Sequence, residues 1–309
     1  MSSSSRVTLL GPQRLQRTLG GTLESLGVDG PVATITAGWQ ERERDDRELH
    51  EHLGSRSVNL DLYERARRVL DADPTLGVAY RERQDRLRQM QELYRLRLGH
   101  AMAATYALFH RAEDPPILVA ERASAIEAVR TLDRIHLERV RGVYAEFEER
   151  WRPLERDAIR RERRAIAQAM APCAAVAIAG GHVAILINRL RLFDLPSLLE
   201  DRPLVAWSAG AMAVSERIVL FHDFTAQGAQ HAEVLEAGLG LSPDVVVLPH
   251  ARRRLALDAP ARIAVFARRF APAACLALNE GARIDWDGSG YAFRAVLRLA
   301  PEGTVPEAA

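Results

Sequence analysis

Leu204-Val205-Ala206-Trp207-Ser208-Ala209-Gly210-Ala211-Met212-Ala213 is the stretch on which the fold turns. Four apolar residues run into a serine and then at once into small, helix-compatible residues. This pattern predicts a buried strand that passes through a sharp turn directly into a helix. Ala206-Trp207-Ser208-Ala209-Gly210 has the form small-x-Ser-x-Gly, in which small neighbours let the chain bend tightly and hold the hydroxyl out above a sheet. A serine there also lies beside the free N–H groups and positive dipole end of the helix. A serine that merely caps a helix would give the same pentapeptide, so its meaning depends on what surrounds it.

Working outward, the neighbouring segments repeat the pattern. Ala174 to Ala179 reads as a strand ending in Gly180-Gly181, and Val183 to Arg191 as the helix after it. Val245 to Leu248 leads into Pro249-His250, and Ala274 to Leu278 into Asn279-Glu280. Such near-continuous apolar runs are expected of central parallel strands buried on both faces. The first third supplies Val7 to Leu10, Val32 to Thr36 and Ser57 to Leu60 as further short strands, with a helix predicted from Gln13 to Leu26 and a charged one after Gly38-Trp39. The fold class is therefore α/β, a mostly parallel sheet flanked by helices. In such sheets ligands bind at the carboxyl ends of the strands.

Between residues 62 and 170 the sheet pattern stops. Leu87, Met90, Tyr94, Leu98 and Ala101 recur at helical steps, as do Ile126, Val129, Leu132 and Ile135, with Asp114-Pro115-Pro116 breaking the run between them. A third helix is predicted from Leu154 to Met170. The chain thus divides into residues 1–61, the opening of the α/β domain; residues 62–170, a helical insertion of hairpin plus third helix; and residues 171–309, the remainder of the α/β domain. The apolar stripes of the insertion suit docking on the sheet domain, pairing with another subunit to make a homo-oligomer, or a cover over the active site, with the last two favoured over a separate activity.

Composition narrows the function classes. The 309 residues, 48% apolar, suffice for a large core, and 42 cationic against 41 anionic side chains leave a formal charge of +1. No global field draws nucleic acid or an anionic membrane, and no apolar run approaches the ~20 residues of a membrane span. The opening residues lack an export-signal pattern, and the only cysteines, Cys173 and Cys275, read as buried core thiols, so a cytoplasmic location is expected. Every cation is arginine, which with the abundant alanine suggests a GC-rich bacterial genome. His50-Glu51-His52 lacks the one-face spacing of a zinc site, and nothing in the sequence asks for a metal or cofactor. The arginine run from Arg160 to Arg164 reads as the solvated side of an amphipathic helix.

A neutral hydroxyl is a weak nucleophile and needs a base, usually a histidine held by a carboxylate. His250 and Glu280 supply both types on strand ends, so that all three side chains can converge at one sheet edge. The N–H of Ala209 and the Gly180-Gly181 turn are natural donors to a developing oxyanion, although a tight turn alone would also call for glycine. His222-Asp223 forms a rival base pair, and the polar segment through Gln227, Gln230, His231 and Glu233 suits the wall of a pocket. In Arg252-Arg253-Arg254 a guanidinium can hold a substrate carboxylate, against the plainer reading of a solvated loop.

Taken together, Ala179-Gly180-Gly181-His182, Trp207-Ser208-Ala209-Gly210-Ala211, Gly238-Leu239-Gly240-Leu241 with Pro249-His250, and Leu278-Asn279-Glu280-Gly281 resemble the dipeptidase E and cyanophycinase family of serine peptidases, which has the class I glutamine amidotransferase-like fold. The resemblance runs from about Cys173 to Trp286 and does not include the helical insertion. It implies Ser208 as nucleophile, His250 as general base, Glu280 as orienting acid, and Gly181 with Ala209 as oxyanion hole. Gly180, His182, Trp207 and Arg254 fall at substrate-binding positions. Ala206-Trp207 replaces the family's Gly-Thr, and His182 stands where relatives carry an amide or acidic residue, so specificity for aspartyl peptides or cyanophycin does not follow. Serine at the elbow argues against a glutaminase, which in this fold uses cysteine. The expected function is a serine peptidase or amidase of small peptides or amides. The alternatives are a non-catalytic binding or assembly protein that uses the insertion as its interaction surface, and an acyl transferase or esterase with the same triad.

Overall fold

The computed structural model describes residues 6–111, 116–224 and 231–308. Asp114 and Pro115 of the predicted helix break, and Gln227 and Gln230 of the polar segment, lie outside the described residues.

In chain order the elements are β1 (Val7–Leu10), α1 (Leu19–Ser25), β2 (Val32–Ile35), α2 (Arg47–His52), β3 (Ser57–Asn59), α3 (Leu62–Ala72), α4 (Pro74–Phe109), α5 (Pro116–Trp151) and α6 (Asp157–Met170). There follow β4 (Ala175–Ile178), α7 (Val183–Leu192), α8 (Pro196–Leu199), β5 (Leu204–Trp207), α9 (Ala209–Val214), β6 (Arg217–Leu220) and β7 (Glu233–Ala237). The chain closes with β8 (Val245–Pro249), α10 (Ala251–Arg254), α11 (Pro260–Phe270), β9 (Ala274–Leu278), β10 (Arg283–Trp286), β11 (Tyr291–Arg294) and β12 (Leu297–Leu299). No helix among the described residues is long and apolar enough to cross a membrane.

The main sheet has seven strands in the order β11-β10-β1-β5-β4-β2-β3, parallel from β1 to β3 and antiparallel at β10 and β11. Its inner strands are buried on both faces, which is why they read as unbroken apolar runs. On one face Leu10, Ala177, Val205 and Trp207 pack with Leu19, Leu23 and Leu53, and Trp39 and Leu49 close over them. On the other, Leu9, Val176, Ile178 and Ala206 pack with Leu186, Ile187 and Leu190 of α7.

β8 and β9 are not strands of this sheet. They pair in parallel with each other, and β9 pairs antiparallel with β12, in a separate three-stranded sheet, while β6 and β7 form a two-stranded ribbon. The single sheet edge expected from sequence is thus two edges. They meet where Gly11, just past β1, packs against Asn279, just past β9, so closely that a Cβ on Gly11 would stand 1.7 Å from Asn279 O.

Several boundaries move for local reasons. The first helix begins at Leu19 because the Gln13 side-chain oxygen accepts from Thr18 N at 2.7 Å and Leu19 N at 2.9 Å, capping the helix from the preceding turn. The charged segment after Trp39 divides into a 3-10 turn, Ala37–Arg42, broken at Gln40 with φ 60°, and α2. The helix predicted from Leu154 starts at Asp157, after the 3-10 turn Pro153–Glu155.

The long insertion is built on α4 and α5, each of 36 residues and so about 54 Å long at 1.5 Å per residue. Asp73 caps α4, accepting from Leu76 N at 3.0 Å, with Pro74 in the first turn where its missing N–H costs nothing. Arg86 with Glu146, and Tyr94 with Asp133, bridge the two helices in descending order against ascending, so the hairpin is antiparallel. Its apolar side joins the same core as the sheet: Tyr94, Leu98, Met102, Ile126 and Val129 belong to one cluster with Val234 of β7 and Phe266 and Phe270 of α11.

Candidate active site

Ser208 occupies the turn between β5 and α9 at φ 51°, ψ −121°, a conformation that side-chain-bearing residues rarely adopt and that costs about 1–3 kcal/mol. The strain comes from reversing direction within one residue, and it thrusts the hydroxyl away from the sheet. His250 is held unusually too, at φ 59°, ψ 30°, between β8 and α10. Its N–H donates to Leu278 O at 3.3 Å, fixing it to the end of β9. Between these two bent residues Ser208 Oγ lies 3.5 Å from His250 Nε2. This is a long contact of the kind that shortens when substrate binds, and it allows the hydroxyl to donate to an unprotonated ring nitrogen.

Burial pushes the His250 imidazole below its ordinary pKa, the Arg254 and Arg253 guanidinium groups push it further, and Glu280 opposes them. The ring is therefore neutral near pH 7, the form a general base requires. Glu280 is near enough to act on the ring through space, yet among the described residues no hydrogen bond joins the two; its carboxylate stands 3.6 Å from Arg253. Arg252 N instead donates at 2.9 Å to Oδ1 of the buried Asn279, whose amide nitrogen is buried without a partner. Asn279 thereby fixes the turn that carries His250. In the sequence only its place at the end of β9 marks it.

Gly180 and Gly181 flank the serine. A Cβ on Gly180 would stand 2.8 Å from Ser208 Cβ and 3.4 Å from Ala209 N, so only glycine permits this approach. Gly181 has φ 113°, and a Cβ there would fall 2.3 Å from Gly38 O. Ala209 N is the first N–H of α9, and among the described residues neither it nor Gly181 N has a hydrogen-bond partner. Two unused donors beside a half-buried serine hydroxyl that lines a cavity suit a developing oxyanion.

Ser208, Gly180, Gly181, Ala209, Trp207, His250 and Arg254 all line one cavity of about 700 Å³, within the range of small-molecule sites. Arg254 is half-buried and, among the described residues, has no carboxylate in ion-pair range; burial pulls its guanidinium below the ordinary value. His182 is not among the lining residues. Its Nδ1 accepts from Ile185 N at 3.3 Å and caps α7. His222 lines the cavity, but Asp223 turns away to Arg262 and to Ala256 N, so the two do not form a base pair.

The remaining wall draws on distant parts of the chain. Trp39, Glu48, Leu49 and His52 come from the turn after β2 and from α2, and Arg14 and Arg17 from the segment before α1. No local motif marks them. Opposite, His231 and Glu233 stand at the start of β7, where the helical insertion holds them. Gln91 donates to Glu233 at 2.8 Å, Arg95 donates to the same carboxylate at 2.9 Å, and Tyr106 stacks on His231 with centroids 5.7 Å apart. The hairpin is thus part of the cavity's frame.

Both cysteines are free and buried, away from the cavity lining, and burial pushes Cys275 up to about 12, so neither is a competing nucleophile. Among the described residues no group of three or more His, Cys, Asp or Glu side chains is arranged to hold a metal ion.

No protein-family model and no curated protein matches the chain. Among solved structures it is similar to the crystal structure of a peptidase from an acI-B1 Actinobacterium, at 13% identity and TM-score 0.45, over 97% of this chain and 93% of that one.

Proposed function

We propose that the protein is a serine hydrolase that cleaves small peptides or amides through an acyl-enzyme on Ser208. The observation that carries this reading is the strained Ser208, 3.5 Å from a neutral, half-buried His250, at the floor of a cavity with two unused N–H donors beside it. The reading follows the sequence resemblance to dipeptidase E and cyanophycinase at Ser208, Gly180-Gly181 and His250, and departs from it at Trp207 and the insertion.

In the first step His250 Nε2 takes the Ser208 proton as Oγ attacks the substrate carbonyl carbon. The N–H groups of Gly181 and Ala209 receive the negative oxygen. The carbon–nitrogen bond then breaks, and the proton passes from the imidazolium to the departing amine. Water, deprotonated by the same nitrogen, releases the acid and restores the serine. Glu280 stabilises the imidazolium electrostatically, and Arg254 takes a substrate carboxylate, because an unpaired, half-desolvated guanidinium gains most from an anionic partner.

The test is labelling of purified protein by a fluorophosphonate, which reacts only with an activated serine. Labelling of the wild type, abolished in Ser208→Ala and His250→Ala, is the expected result. A folded wild type that stays unlabelled would overturn the hydrolase reading in favour of a binding protein.

A further inference from the structure

The cavity is lined by both polar and apolar side chains, and two of the apolar ones are tryptophans. Toward β7 and α10 it carries His222, His231, Glu233 and Arg254, with Leu220 and Phe221 among them. Toward α1 and α2 the apolar part is Trp39, Trp207, Leu49 and Pro12, beside the polar Gln13, Arg14, Arg17, Glu48 and His52. Trp207 and Trp39 belong to the small core on that face of the sheet, where Trp207 is part of the buried cluster and Trp39 and Leu49 lie partly buried against it. Both residues nonetheless line the cavity that also holds Ser208, Trp39 half-buried and Trp207 7% exposed. Trp207 is the residue next to the serine in the chain, at the end of β5.

Charge disfavours a cationic occupant: the carboxylate on this side, Glu48, is paired with Arg17 at 3.1 Å, and Arg14 and His52 stand beside it. The lobe is a partly apolar recess with two aromatic faces, and aromatic rings prefer offset or edge contacts with other rings beyond what area alone gives.

From this we infer that the lobe lined by Trp39 and Trp207 is a specificity pocket for an aromatic group adjacent to the bond cleaved, making the substrates peptides or amides of aromatic residues. The inference rests on the serine-hydrolase reading and adds to it the identity of the group recognised. Trp39 is its specificity residue, because it closes the lobe from a different segment and takes no part in the elbow.

Two fluorophosphonates with the same reactive centre, one carrying a phenylethyl group and one an ethyl group, separate the claims. A well-fitted apolar group contributes about 10- to 100-fold in rate by the scale known for pockets that select on size. The wild type is expected to react with the phenylethyl reagent faster by that factor. Trp39→Ala should bring the ratio close to one, and Trp39→Phe, which keeps a ring, should restore most of it. The ratio within each variant is the readout, so a general loss of reactivity does not imitate the result. Equal rates in the wild type, or an unchanged ratio in Trp39→Ala, would overturn the aromatic pocket while leaving the activated serine standing. Failure of both reagents would overturn the hydrolase reading and this inference with it.

Discussion

Gly180 lies so close to Ser208 that a methyl group on it would come within 2.8 Å of the serine's own Cβ. The strand end carrying one residue and the elbow carrying the other are fitted to each other without slack. Gly180→Ala must therefore push the elbow or the β4 end aside, and displacements approaching 1 Å in a catalytic group cost about 10²-fold. The variant is expected to lose about that factor in its rate of fluorophosphonate labelling, with little change in melting temperature. An unchanged labelling rate would mean that the elbow tolerates movement. Gly181→Ala should behave differently, since φ 113° and a contact of 2.3 Å with Gly38 O make it a folding defect first, read as a lowered melting temperature.

The acid limb of the pH–rate profile follows from the surroundings of His250. The reactive form is the neutral ring, so activity falls as pH drops through the His250 pKa. Burial first, then Arg254 and Arg253, hold that pKa below the ordinary histidine value, so the limb should lie below about pH 6.5. Glu280 acts in the opposite sense, raising the pKa. Glu280→Gln is expected to move the limb to still lower pH while reducing the plateau rate, and Arg254→Ala to move it upward. The profile of labelling rate against pH between about 4 and 8 measures all three. A limb that stays in place in Glu280→Gln would remove Glu280 from the electrostatics of the base.

The fold class was legible because central parallel strands announce themselves as apolar runs: β5 and β9 fall on the residues that their composition marks, and β8 extends its run only by Pro249. The serine turn was legible for the same reason, a strand ending abruptly in small residues. The division of the strands into two sheets was not, because β8 and β9 are as apolar as β4 and β5, and which strand lies next to which depends on contacts such as Gly11 with Ala282 that no local pattern records. His182 illustrates another limit: a polar residue after a Gly-Gly turn can face the ligand or cap the next helix, and here the first N–H groups of α7 claim it. Trp39, Leu49 and His52 escaped notice as site residues because they reach the cavity from elements that precede the elbow by more than 150 positions.

Besides the contacts of Gln91, Arg95 and Tyr106, the insertion is tied to the cavity wall by a buried ion pair. Arg269 of α11 and Asp133 of α5 have side-chain exposures of only 1% and 8%, and they are joined by two hydrogen bonds of 2.7 Å. Tyr94 of α4 donates to Asp133 at 2.7 Å and accepts from Val234 N of β7 at 3.1 Å, so α4, α5, α11 and β7 share a single polar junction. Removing the carboxylate leaves a desolvated guanidinium without its counter-charge, a loss of about 3–5 kcal/mol. Asp133→Ala should lower stability by that amount in urea unfolding, a large share of the roughly 5–15 kcal/mol that holds a typical protein folded. Replacing both partners, Asp133→Leu with Arg269→Met, should cost far less, because no charge is then stranded. The hairpin would remain docked, and β7 would keep Glu233 and His231 at the cavity wall. A loss below about 1 kcal/mol in Asp133→Ala would mean that the junction is open to water and that the apolar contacts of α4 and α5 alone fix the wall.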